Sequence, residues 1–338
     1  MTWVTWRQYR LQGAIALALL AAFAAAMLTY GFQMAAAWHS LLLRCTAVGA
    51  PVNVPLGSCA GGSIVGEIPN DLRVLSVIVP VIIGVLWGAP LVAHETETGT
   101  ANFAWTQGIT RSRWLLVKAG WLLLAAALCG AAVSALVTFW SGPVNAMRGQ
   151  QFNGVFFDTQ GLVPIGYAVF ATALGIAAGA LLRRTLPAIA VTLGVFIGVR
   201  LLFNNAIRPH LMPAVTTLVS MTSTWSPPGI AWVFGTTVIS KSGQVLAFSQ
   251  NTFGANGIPI TAACARLLPG PAKAIAGRSA NPFGPALSCM QSAGYRQLVS
   301  YQPGWRYWPF QGIETAIYLL LAAALMAVAW YVLRRRDA

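Results

Sequence analysis

The chain has 338 residues, of which 57% are hydrophobic and 8% charged, with 21 Lys and Arg against 7 Asp and Glu and a formal charge of +14; its mean hydropathy is +0.67. That composition excludes an ordinary soluble domain, in which about a quarter of residues are charged. It also argues against nucleic acid as a partner: the bases form no single soluble patch, and many end apolar runs, where Lys and Arg meet lipid phosphates.

A hydrocarbon core of about 30 Å calls for roughly 20 apolar residues of helix. Six segments qualify: residues 13–32, 72–92, 114–140, 163–182, 186–204 and 313–333. The expected fold is therefore an all-α polytopic membrane protein with six transmembrane helices. The first span carries no small-residue cleavage site and continues to Trp38, so it reads as a retained helix rather than a signal peptide. Before it, Trp3, Trp6 and Tyr9 with Arg7 and Arg10 suggest an interfacial helix over residues 1–12.

Placing both termini in the cytoplasm gives the short inner segments ten bases: Arg7, Arg10, Arg111, Arg113, Lys118, Arg183, Arg184 and Arg334 to Arg336. The short outer segments then hold three, Arg44, Arg73 and Arg148. This distribution obeys the positive-inside rule.

Residues 1–204 form a membrane domain of five spans, and residues 313–338 the sixth span with its basic tail. Between them, residues 205–312 form a large extracytoplasmic segment with seven bases (Arg208, Lys241, Arg266, Lys273, Arg278, Arg296, Arg306) and no acid. Its charge suits an anionic headgroup, a phosphate-bearing ligand or simple attachment to an anionic leaflet. Within it, residues 211–222 and 230–239 are apolar but too short to cross, so a re-entrant or interfacial helix pair is expected.

Gly142-Pro143 is expected to end the third span, and Arg183-Arg184 to form a tight turn with Pro187 in the first turn of the fifth. Pro309 marks the approach to the sixth. Outside the cytoplasm paired cysteines tend to oxidise. Within-loop pairing, Cys45–Cys59 and Cys264–Cys289, closes the shorter loops and is favoured among the three connectivities. Cys129 lies mid-span as a small packed residue.

The densest signals stand between the second and third spans, residues 95–113. Glu95 and Glu97 lie near the positive end of a short helix that Thr98 or Thr100 caps, Gly108 stops it, and Thr110 caps the next span. Phe103 and Trp105 point to different sides of such a helix, one to lipid and one to a partner. A capped interfacial turn without a partner remains the plainer alternative.

The pattern Glu95-x-Glu97-x-Gly99-Thr100, Trp105-x-Gln107, Arg111-x-Arg113-Trp114 and Lys118 resembles the coupling helix of the permease subunit of type-2 ATP-binding-cassette exporters. The resemblance extends to Trp6-Arg7-Gln8, Trp87-Gly88-Ala89-Pro90, and Tyr301-Gln302-Pro303 through Glu314. It is nearest to actinobacterial members with a Cys-bearing first outer loop, and the Arg- and Ala-rich composition also hints at a GC-rich bacterial genome.

The resemblance implies a bacterial plasma-membrane location and a permease dimer, with two ATPase subunits docked at the coupling helices. It assigns Glu95, Glu97, Gly99, Thr100, Phe103, Trp105, Gln107, Arg111 and Arg113 to that docking. It further implies alternating access along a path near the second and fifth spans, exporting an antibiotic, peptide or lipid. The segment 205–312 is longer than a minimal member needs.

No Gly-x-x-x-x-Gly-Lys-[Ser/Thr] motif occurs, so ATP and Mg belong to a separate polypeptide and no cofactor is expected here. His94-Glu95 resembles half of a metalloprotease helix, but Thr98 stands where the second His is needed, so no metal site is expected. No catalytic residue is assigned: His39, His94 and His210 are scattered and no acids cluster in the spans, which disfavours a membrane-embedded enzyme. A sensor that signals without transport shares the expected fold and stays open. Arg200 and Glu314 lie near the outer ends of their spans, either snorkelling to water or paired between the fifth and sixth spans as an outer gate.

Overall fold

The computed structural model describes residues 2–47, 70–99, 110–148, 151–152, 154–221, 231–246, 260–267 and 284–335. The chain divides into two compact units, Met1–Leu211 with Tyr307–Ala338, and Met212–Arg306.

The first unit is helical. Its elements are α1 (Thr2–Ala47), α2 (Asn70–Glu97), α3 (Arg111–Arg148), α4 (Gly154–Thr159), α5 (Val163–Leu182), α6 (Thr185–Leu202) and α9 (Tyr307–Arg335). Four stretches are long and apolar enough to cross a membrane among the described residues: Ser112–Gly142, Val163–Leu182, Thr185–His210 and Gly304–Arg335, with Leu17–Gln33 a shorter apolar helix. Residues 2–12, expected as a separate interfacial helix, run without a break into α1. Likewise Gly142-Pro143 does not end the third helix, which continues to Arg148; one proline removes one backbone bond and does not by itself stop a helix packed on neighbours.

Helix α5 is the mast of this unit. It is buried from Val163 to Ala180 at nearly every position, as expected for a helix that is apolar all round, and it packs against α2, α3, α6 and α9. Small residues make the α2 contact close. A Cβ on Gly88 would lie 2.4 Å from the Thr172 carbonyl oxygen; one on Gly175 would lie 2.6 Å from the Ala89 nitrogen, and one on Gly179 2.7 Å from the Ala89 oxygen. Gly175 and Gly179 thus form a small-x-x-x-small seam within one chain.

The ends of α5 are closed by specific groups. Gln311 of α9 accepts from the Leu162 and Val163 amides at 3.0 and 2.9 Å, and donates to the Phe157 carbonyl at 2.9 Å, satisfying amides that a helix start leaves orphaned. At the other end Arg183 adopts φ 54° and donates its amide to Gly179, so the two-arginine turn joins α5 to α6 as expected, with Pro187 in the first turn of α6.

The second unit corrects the all-α expectation. Its apolar stretches are strands, β1 (Val215–Ser220) and β2 (Trp232–Ile239), not a re-entrant helix pair. They flank β3 (Arg296–Gln302) in an antiparallel sheet ordered β1-β3-β2, with Val219 opposite Gln297 and Val238 opposite the same residue. The β-branched content of Val215-Thr216-Thr217 and Thr236-Thr237-Val238-Ile239 favours this pleated form. Short helices α7 (Ala262–Ala265) and α8 (Gly284–Ser292) complete the unit, and Met221, Val238, Ile260, Cys264, Ala286, Leu287 and Met290 form its core.

Cys264 and Cys289 are bonded across a separation of 25 residues, as expected. The loop-closure model gives this bond about 3–4 kcal/mol. Reduction of the intact protein is expected to speed protease cleavage within 212–306 and to leave the helical unit's cleavage rate unchanged, read by timed proteolysis and mass spectrometry. The Cys45–Cys59 pairing lies outside the described residues.

Candidate functional site

Three features of the helical unit converge on α2 and α6. The first is the end of α2 from which the bridge begins. Glu95 is 7% exposed and Lys118 of α3 is 5% exposed; the two form an ion pair, and the Lys118 ammonium lies 4.9 Å from the Trp114 ring. Positions two apart on a helix face different directions. Glu97 accordingly projects outward and reaches across to α6, accepting from the Thr185 hydroxyl at 2.8 Å and the Thr185 amide at 3.2 Å. Glu97 lies beyond the apolar part of α2; these two hydrogen bonds, hydroxyl first, hold its carboxyl below the usual carboxylate value, with His94 and Arg184 adding smaller pulls in the same direction.

Other expected bridge residues divide. Thr98 bonds back to the His94 carbonyl and so belongs to the end of α2. Gly99 takes φ 73°, a conformation open to glycine at little cost. Thr110 accepts from the Arg113 amide at 3.4 Å, capping α3 as expected. Arg113 is exposed. Thr100, Phe103, Trp105, Gln107 and the Arg111 side chain lie outside the described residues.

The second feature is a cleft of about 520 Å³ between α2 and α6. Ile78, Ile82, Val85 and Leu86 form one wall, and Leu193, Phe196, Ile197 and Leu201 the other; Asp158, Arg200 and Asn204 supply the polar part of the lining. Toward the bridge Ala89 and Ala93 of α2 cluster instead with Ala188 of α6 and Ala178 of α5. The pair is thus packed at one end and parted along the other.

The third feature is a buried charge cluster at the parted end. Arg208 donates to both Glu314 oxygens at 2.8 Å, to Asp158 at 2.6 Å and to Asn204 at 3.0 Å. Arg200 pairs with Asp158 at 2.5 Å, and its other terminal nitrogen lies 3.6 Å from Glu314. The Tyr167 hydroxyl donates to Glu314 at 2.5 Å, and its ring lies 3.8 Å under the Arg200 guanidinium. Glu314 is 0% and Arg208 2% exposed. Two guanidinium groups thus face two carboxylates, a balanced set that ties α4, α5, α6 and α9 together.

Arg200 and Glu314 do meet between α6 and α9, rather than snorkelling apart. Sequence reasoning missed Asp158, Tyr167 and Arg208, and Arg208 is the correction to the acid-free basic segment: its partners lie elsewhere in the chain. In an ideal α-helix residues eight apart stand about 80° apart around the axis. Here a π turn at Phe203–Ile207 intervenes, widening the coil and bringing Arg208 round toward the partners of Arg200. No residue pattern marks that turn in advance. Among the described residues, no three His, Cys, Asp or Glu side chains are placed to share a metal ion.

Comparison with curated proteins and with solved structures finds no match. The family model described as ABC-2 membrane transporter related matches residues 17–208, a region holding α2, the described ends of the bridge, the α2–α6 cleft and three members of the charge cluster with its tyrosine (Asp158, Arg200 and Arg208, with Tyr167). With more than half of its length matched, and with apolar helices long enough to span a bilayer, this multi-pass membrane protein belongs to the ABC-2 membrane transporter related family.

Proposed function

We propose that the chain is the permease subunit of an ABC exporter, moving a lipophilic or amphipathic substrate (an antibiotic, peptide or lipid) outward by alternating access. ATP and Mg are held and hydrolysed by a separate cassette ATPase, and two permeases pair with two ATPases in a bacterial plasma membrane. The chain crosses six times with both termini in the cytoplasm, and residues 95–113 form the cytoplasmic coupling element.

The observation that carries this reading is the α2–α6 pair, packed at the bridge end and parted around an apolar cleft with a polar rim. A cleft of that chemistry suits an amphiphile drawn from the bilayer, since apolar walls take a chain and the rim takes its head. Glu95 contributes as an internal strut, because its ion pair with Lys118 fixes α2 to α3 on the two sides of the bridge. Glu97, Gly99, Thr100, Phe103, Trp105, Gln107, Arg111 and Arg113 are assigned with it to ATPase docking. At the far end Arg200 and Glu314, with Asp158 and Arg208, form the outer gate: a charged lock that holds α6 to its neighbours until the stroke arrives.

The test is reconstitution of the chain with a co-expressed cassette ATPase in vesicles carrying a fluorescent single-chain amphiphile. ATP-dependent movement of the probe to one leaflet or lumen is expected. Movement at the same rate without nucleotide, or ATP hydrolysis by the chain alone, contradicts the reading.

A further inference from the structure

We infer that Glu97 is the positioning residue that fixes the closed end of the cleft, tying the α6 wall to the start of the bridge so that displacement of the bridge is delivered to α6. This deepens the permease reading and rests on it for its consequence, though not for its geometry.

Helix α6 starts at Thr185. Arg184, the residue before it, gives no side-chain cap, and the first amides of a helix have no intrahelical acceptor. Glu97 supplies one from 88 positions away, bonding both the amide and the hydroxyl of Thr185. A carboxylate there also meets the positive end of the helix dipole. The contact therefore joins two elements that no short loop connects.

Its neighbour in the motif does the opposite. Glu95 is buried with Lys118, a pair costly to open because either charge alone would be stranded. Glu97 is exposed and Thr185 only half-buried, so water can replace their bonds and the contact can be made and released. One acid of the Glu-x-Glu pair is then a fixed strut and the other a releasable joint. The joint lies next to Ala89, Ala93 and Ala188, where small side chains let α2 and α6 approach closely, and the walls part only beyond that point. Loosening the joint changes the angle between the walls and leaves the buried packing of α5 as it is.

The experiment uses the full chain in lipid nanodiscs, with spin labels carried on p-acetylphenylalanine at positions 82 and 197, one on each wall. Glu97→Ala is expected to add a second, longer population to the distance distribution, whereas Glu97→Gln, which keeps an oxygen acceptor at the same reach, retains the original one. Thr185→Val is expected to shift the distribution in the same direction as Glu97→Ala, and the double variant to shift it no further than Glu97→Ala.

Identical distributions in wild type and a monodisperse Glu97→Ala overturn the inference; if that variant does not fold, an unchanged Thr185→Val overturns it. These distances are read without any ATPase, so a chain that fails to transport but shows the shift refutes the permease reading alone. With ATPase present, Glu97→Ala is expected to raise the ATP hydrolysed per probe moved.

Discussion

Replacing Glu314 with Leu is expected to destabilise the helical unit by about 3–5 kcal/mol, the range for removing one partner of a buried ion pair. The carboxylate is fully buried and accepts two bonds from Arg208 and one from Tyr167. Without it, two guanidinium groups share Asp158 alone, and Arg208 keeps a charge in surroundings that exclude water. Converting Arg208 to Met in the same chain is expected to recover much of the loss, because one acid then faces one base, Arg200. Unfolding in mixed micelles, followed by the fluorescence of the buried aromatics, reads both variants. A Glu314→Leu midpoint equal to wild type removes the claim that the cluster holds α6 to its neighbours.

Gly175→Val is expected to cost about 1–3 kcal/mol, toward the upper end of the overpacking range. The added Cβ would stand 2.6 Å from the Ala89 nitrogen and 2.9 Å from the Gly88 carbonyl carbon. Both are backbone atoms, so no side chain can swing aside, and α2 must move away from α5. Gly194 and Gly198 of α6 provide the internal control: a Cβ on either meets nothing within 4 Å. Valine at those positions is expected to leave the midpoint within about 0.5 kcal/mol of wild type, as for substitutions away from such packing. Equal losses at Gly175 and Gly198 would contradict the seam, since valine has the better helix propensity and a Cβ on Gly198 meets nothing within 4 Å.

What could be seen in advance follows from the range of the forces involved. Apolar length alone marked the helical segments, because the bilayer imposes one number on every crossing element. Local backbone chemistry marked Thr110 as a cap, Pro187 as a first-turn residue and the Arg183-Arg184 turn, since each depends on neighbours three or four positions away. The strands at 215–220 and 232–239 were misread because a ten-residue apolar run has no period that separates a buried strand from a short helix; their β-branched threonines and valines were the signal to weigh. The charge cluster draws on positions 158, 167, 200, 208 and 314, and only tertiary packing brings these together. Likewise nothing in Glu95-x-Glu97 says which acid turns inward. That depends on Lys118 and Thr185, placed by helices that begin after the bridge has closed.

The α5 seam and the charge cluster have a common consequence for motion. The seam fixes α2 to α5 through backbone contact, while α6 touches α2 through alanines at one end and is held by ion pairs at the other. The α6 wall also packs on α5 through Phe196 and Phe170, so polar restraints at its two ends act on a helix that apolar contact holds between them.

The most direct test of this account is the side of the membrane on which the bridge lies, read by placing a uniquely reactive residue at position 105 and labelling it with an impermeant reagent. Labelling from the cytoplasmic face of inverted vesicles, lost when the cassette ATPase is bound, is the predicted result. Labelling of the same position from outside intact cells would contradict it.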